Sequence, residues 1–151
     1  FYYGDIGLEV PENVYYPQED SLLLAKSLEK LERKGKKCLE IGCGSGFLAI
    51  IVARKGAIVT AADINKEAVD AAIRNTEMNN ANMNILKSDL YHKIAGKFDL
   101  NVFNPHYLTY ADVAMTEYMR AVGFPYPDAL LPFGADIFAV NARDHHSPCF
   151  G

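Results

Sequence analysis

The segment best equipped for chemistry is Leu39-Glu40-Ile41-Gly42-Cys43-Gly44-Ser45-Gly46. Three alternate glycines let the backbone turn tightly and approach a ligand closely. A helix opening at that point offers free N–H groups to a carboxylate or phosphate. The spacing is G-x-G-x-G, whereas a dinucleotide fingerprint reads G-x-G-x-x-G, which counts against a nicotinamide or flavin site. A glycine turn alone is also how an ordinary strand meets a helix, so its neighbours decide the reading. Asp63 follows Gly46 by 17 residues at the end of an apolar run, where a carboxylate lies beside the glycine turn and can accept two ribose hydroxyls. Asp89 ends a third such run and suits an adenine amino edge. Each carboxylate alone could be a turn cap; together the three positions outline one nucleoside-shaped crevice.

A fourth run delivers Asn104-Pro105-His106-Tyr107. Proline stiffens the loop, the Asn amide both donates and accepts, and a ring can stack on a planar group. The set suits a planar nitrogen that is to act as a nucleophile.

These residues need elements to hold them. Tyr2 to Val10 has β character, broken by Pro11-Glu12-Asn13 before Val14-Tyr15-Tyr16. Residues 1–17 therefore read as an N-terminal flap. Asp20 or Ser21 can cap a helix in which Leu24, Leu28 and Leu31 recur at helical spacing and Gly35 follows. Lys37 to Ile41 reads as a strand, Ser45 to Lys55 as a helix ended by Gly56, and Ile58 to Ala62 as a strand covered on both faces. Asn65 caps a helix from Lys66 to about Asn79. Asn84–Lys87 and Phe98–Phe103 are two more strands, the former expected at a sheet edge, and Ile137 to Val140 a fifth. Strands alternating with helices predict an α/β, Rossmann-like, mostly parallel doubly wound sheet. Pro125, Pro127 and Pro132 interrupt any long element beyond Tyr110.

The bulk numbers fit one domain across residues 1–151: half of the residues are hydrophobic, enough for a core. A net charge of −4 disfavours wide gripping of nucleic-acid phosphates. No apolar run approaches the roughly 18 residues of a membrane span, and the start is not a signal peptide, so a cytoplasmic protein is expected. Cys38, Cys43 and Cys149 form no C-x-x-C pair and read as free thiols. His145, His146 and Cys149 make a short terminal cluster, read as exposed rather than metal-binding.

Tyr15-Tyr16-Pro17-Gln18-Glu19-Asp20-Ser21, the glycine turn, Asp63-Ile64-Asn65, Ser88-Asp89-Leu90 and Phe98-Asp99 through Tyr107 resemble the HemK-type methyltransferases, especially their archaeal and eukaryotic branch. The resemblance covers Tyr2 to Tyr107, with 18–107 as cofactor-binding core, and fades over 108–151, which suggests truncation at the C-terminus. It implies that Ser21, Glu40, Gly42, Gly44, Gly46, Asp63, Asp89 and Leu90 hold S-adenosylmethionine, with Glu40 at its amino-acid end and Asp63 at its ribose. It also implies that Asn104, through its side-chain oxygen, and Pro105, through its carbonyl, take the target NH2 while Tyr107 packs on the substrate plane. The family tetrapeptide is N-P-P-Y, and here His106 replaces the second proline. The implied substrate is a glutamine amide of a translation release factor. The alternatives are an exocyclic amine of adenine or cytosine in RNA or DNA, or a cofactor-binding module impaired in catalysis. The resemblance further implies a small zinc-ribbon activator protein on the edge strand Asn84–Lys87.

Overall fold

A computed structural model describes residues 1–104, 138–141 and 149–150. The chain opens with a hairpin of β1 (Tyr2–Tyr3) and β2 (Ile6–Gly7). The β character expected from Tyr2 to Val10 takes this form because Gly4, at φ +58°, turns the chain back. Then come α1 (Glu19–Glu29), β3 (Lys37–Ile41), α2 (Phe47–Arg54), β4 (Ile58–Asp63), α3 (Lys66–Met78), β5 (Met83–Lys87), β6 (Leu100–Phe103), β7 (Phe138–Asn141) and β8 (Cys149–Phe150).

The sheet order is β5-β4-β3-β6-β7-β8. The first four strands are parallel, and β7 and β8 add antiparallel pairings. The order reverses between β3 and β6, which opens a crevice at their carboxyl ends. As expected, Asn84–Lys87 falls in an outer strand, and its half-exposed residues contrast with the buried run of β6. No helix among the described residues is long and apolar enough to cross a membrane.

Helix α2 buries six consecutive residues, Phe47 to Val52, because it is covered on several sides. It lies on the sheet and against α1. The rings of Phe1 and Tyr3 pack edge-on against Phe47, with centroids 5.0 and 5.3 Å away. Helix α1 differs from expectation at both ends. Neither Asp20 nor Ser21 caps it: Gln18 is the N-cap and makes no side-chain cap bond, because the Asp20 and Ser21 side chains are engaged elsewhere. The helix stops at Glu29, short of Leu31, since the chain must cross so that Gly35 N–H can donate to Gly56 O at 2.8 Å. Asn65 caps α3 as expected, accepting from Glu67 N–H at 2.9 Å.

Candidate active site

Four carboxyl-end turns of parallel strands carry the residues singled out in the sequence. After β3, the glycine turn folds back on β4: Gly42 and Cys43 N–H both donate to Ala62 O, at 2.8 and 3.0 Å. Asp63 then clamps the turn. Its Oδ2 accepts from Gly44 N–H and its Oδ1 from Asn65 N–H, each at 2.9 Å. Gly42 and Gly44 have φ +72° and +53°, and a Cβ on Gly42 would point into open space. That space belongs to a cleft of about 650 Å3 whose walls include Ser21, Glu40, Gly42, Gly44, Asp63 and Asn104. Its opposite wall is the flap segment from Glu12 to Gln18.

Two side chains bring unsatisfied polar atoms to this cleft. Glu40 Oε2 and Asn104 Oδ1 are buried without a hydrogen-bond partner among the described residues. Burial pushes the Glu40 carboxyl up to about 8; the Ala49 backbone N–H opposes this and the Asp63 charge adds to it. Cys43 is pushed well up by burial, then by Glu40 and Asp63, so it stays a thiol and is no nucleophile. Asn104 Nδ2 donates to Ser21 Oγ at 3.0 Å. Buried orphan acceptors are costly unless something fills them, so a cationic group opposite Glu40 and a donor opposite Asn104 fit this lining. A nucleoside sulfonium carrying an α-ammonium meets the first requirement.

Gly46, Asp89 and Leu90 are absent from the lining of the cleft. Gly46, φ +82°, faces α3, where a Cβ would sit 3.1 Å from Ala72 Cβ; its position serves helix packing. Asp89 is largely exposed, 3.9 Å from His92 Nδ1, and Leu90 is buried with φ +47°. Neither lines the cleft. Pro105, His106, Tyr107, His145 and His146 lie outside the described residues. Sequence reasoning missed Asn75 and Asn79, whose amides fasten the N-terminal segment to α3. The available signal was two poor helix formers spaced i, i+4, one in the last turns of α3 and one at its C-cap.

Strand order, glycine turn and strand-end carboxylate together define a Rossmann-like nucleoside-binding domain of the methyltransferase class. Residues 18–121 match the methyltransferase small domain, and the chain belongs to that family. It is 43% identical over 117 residues to a Methanocaldococcus jannaschii protein provisionally named a protein N5-glutamine methyltransferase, covering 76% of this chain and 58% of that one. It is 40% identical to the release factor glutamine methyltransferase of Lactococcus lactis, covering 72% and 41%. Methyltransferase HEMK2 of Mus musculus is 37% identical, over 70% and 54%. The chain thus spans less than two thirds of the length of each of these relatives. Among solved structures, the Thermus thermophilus 16S rRNA N2 G1207 methyltransferase, in complex with AdoMet and guanosine, superposes with a TM-score of 0.61 at 26% identity, covering 77% of this chain and 34% of that one. The ribosomal protein L11 methylase of Lactobacillus delbrueckii gives 0.52 at 30%, covering 60% and 48%.

Proposed function

We propose that the chain is the cofactor-binding and catalytic core of an S-adenosylmethionine-dependent N-methyltransferase acting on the side-chain amide of a glutamine in a translation release factor. The observation that carries the reading is the unpaired Asn104 Oδ1, buried at the end of β6 in the same cleft as Glu40 Oε2. The cofactor, when bound, supplies a methyl group on a sulfonium. Glu40 would hold its cationic amino-acid end, Asp63 its ribose hydroxyls, and Gly42 and Gly44 would admit it against bare backbone, with Ser21 completing the lining. Asn104 Oδ1 would accept from the target NH2, orient it and favour the positive charge that develops on nitrogen. Pro105 and Tyr107 keep the roles implied by the resemblance. The glutamine substrate rests on the names of the M. jannaschii and L. lactis relatives, and a cytoplasmic site of action goes with it.

The test uses labelled S-adenosylmethionine with purified release factor in one arm and bulk RNA in the other. Label on the protein is expected; label on RNA alone would turn the reading to an exocyclic amine. Asp63→Ala should weaken cofactor binding by about 1.5–3 kcal/mol, roughly 10- to 150-fold, as measured by calorimetry. Asn104→Ala should abolish transfer with cofactor affinity nearly intact. The outer strand β5 is the proposed seat of a zinc-ribbon activator, checked by light scattering with and without such a partner.

A further inference from the structure

We propose that Asp20, acting with Ser21, is the positioning residue that decides which end of the Asn104 amide faces the acceptor; this rests on the N-methyl transfer reading above. A primary amide is nearly symmetric in shape, so its hydrogen-bond partners alone determine whether oxygen or nitrogen points into a cleft. Both partners here present acceptors. Asn104 Nδ2 donates to Ser21 Oγ at 3.0 Å, and the amide lies near enough to the Asp20 carboxylate to help hold that group below its ordinary value. Ser21 Oγ uses its own proton on Asp20 Oδ2, 3.4 Å away, leaving lone pairs for Asn104. Turning the amide over would set its oxygen against the Asp20 carboxylate, acceptor against acceptor. The oxygen is therefore driven toward the cleft, where it is buried without a partner among the described residues.

The carboxylate is itself fixed from the flap, since Tyr15 OH donates to Asp20 Oδ1 at 2.9 Å. Burial pushes the Asp20 carboxyl up, but hydrogen bonds from Asn104 and Tyr15 outweigh it and hold it below the usual range. Asp20 thus stays an acceptor at neutral pH. Its charge also polarises the amide, leaving Oδ1 more negative. In the proposed reaction the nitrogen lone pair forms the N–C bond, the S–C electron pair leaves with sulfur, and the nitrogen sheds a proton to water. A more negative Oδ1 stabilises that nitrogen while it is positive.

Three readouts test the assignment on the full chain. Nitrogen-15 NMR should show the Asn104 side-chain NH2 resonance moving as Asp20 titrates below the ordinary carboxylate range, and this titration should vanish in Asp20→Asn. In turnover, Asp20→Asn should lower kcat about tenfold or more while cofactor affinity stays within about twofold. Tyr15→Phe, a milder change, should lower kcat in the same direction. Wild-type kcat in Asp20→Asn, or a loss of cofactor affinity in place of kcat, would overturn the proposal. Should the wild-type chain methylate neither protein nor RNA, the functional reading fails and the NMR titration still decides: an Asn104 resonance indifferent to Asp20 refutes the positioning role.

Discussion

Glu40 is a buried carboxyl near the end of β3, one of its oxygens without a hydrogen bond among the described residues. Its ordinary value is 4.5, and burial in the fold pushes it up to about 8. Between those values the folded chain keeps a proton that the unfolded chain has released, so the unfolded state binds fewer protons and stability falls as pH rises. At about 1.4 kcal/mol per pKa unit, the loss should be on the order of a few kcal/mol, complete by about pH 8. Urea midpoints from pH 5 to pH 8 measure it, and Glu40→Gln, which never ionises, should flatten the slope and make the unliganded protein more stable at pH 8. A cationic ligand reverses the balance by stabilising the anion. Cofactor binding near pH 7 should therefore release a proton, seen in calorimetry as a heat that depends on the buffer's ionisation enthalpy and absent from Glu40→Gln. A buffer-independent heat in the wild type would remove Glu40 from the cationic end.

Among the elements, the turn between β3 and α2 is where three glycines of one motif divide their work. Gly42 and Gly44 line the cleft, whereas Gly46 admits α3: its φ is +82° and a Cβ would lie 3.1 Å from Ala72 Cβ and 3.3 Å from Ala72 Cα. Gly46→Ala combines left-handed strain with that overlap and should cost about 1–3 kcal/mol in urea unfolding. The part due to overlap should shrink when measured in an Ala72→Gly background, leaving the part due to φ. The sequence made these elements legible because each parallel strand is a short, mostly apolar run followed by a glycine, carboxylate or Asn-Pro turn, and Asn65 has the composition of a cap. It left the ends of α1 illegible. Asp20 and Ser21 have the composition of caps, and only the fold shows that Asn104, distant in sequence, claims their side chains. The same blindness to tertiary partners hid the packing of Gly46 against Ala72 of α3 and left Asn75 and Asn79 unremarked.

At the scale of the whole molecule, the N-terminal segment is held by side-chain amides that act as a substitute strand. Asn79 donates to Gly7 O at 2.8 Å and accepts from Gly7 N–H at 3.1 Å. One helical turn earlier, Asn75 donates to Glu9 O at 2.9 Å and accepts from Glu9 N–H at 2.8 Å. Asn75, fully buried, also donates to Ser45 O at 2.9 Å, so a single amide ties the flap to the glycine turn. Beyond it the flap runs along the cleft, where Asn13 O accepts from Asn65 Nδ2 at 3.2 Å and Tyr15 reaches Asp20. Flap order and cofactor affinity should therefore be linked. Asn75→Ala leaves up to three backbone groups unsatisfied at about 1–3 kcal/mol each, less where water enters, so a loss of about 3–5 kcal/mol is expected in urea unfolding. In hydrogen exchange, Leu8, Glu9 and residues 12–18 should exchange faster in that variant, and cofactor affinity should drop although Asn75 does not itself line the cleft and reaches its wall only through Ser45 O. In the wild type, adding S-adenosylmethionine should slow exchange across 12–18. Flap exchange unchanged by Asn75→Ala, or unaffected by the cofactor, would show that the segment is fastened elsewhere and that the linkage does not run through α3.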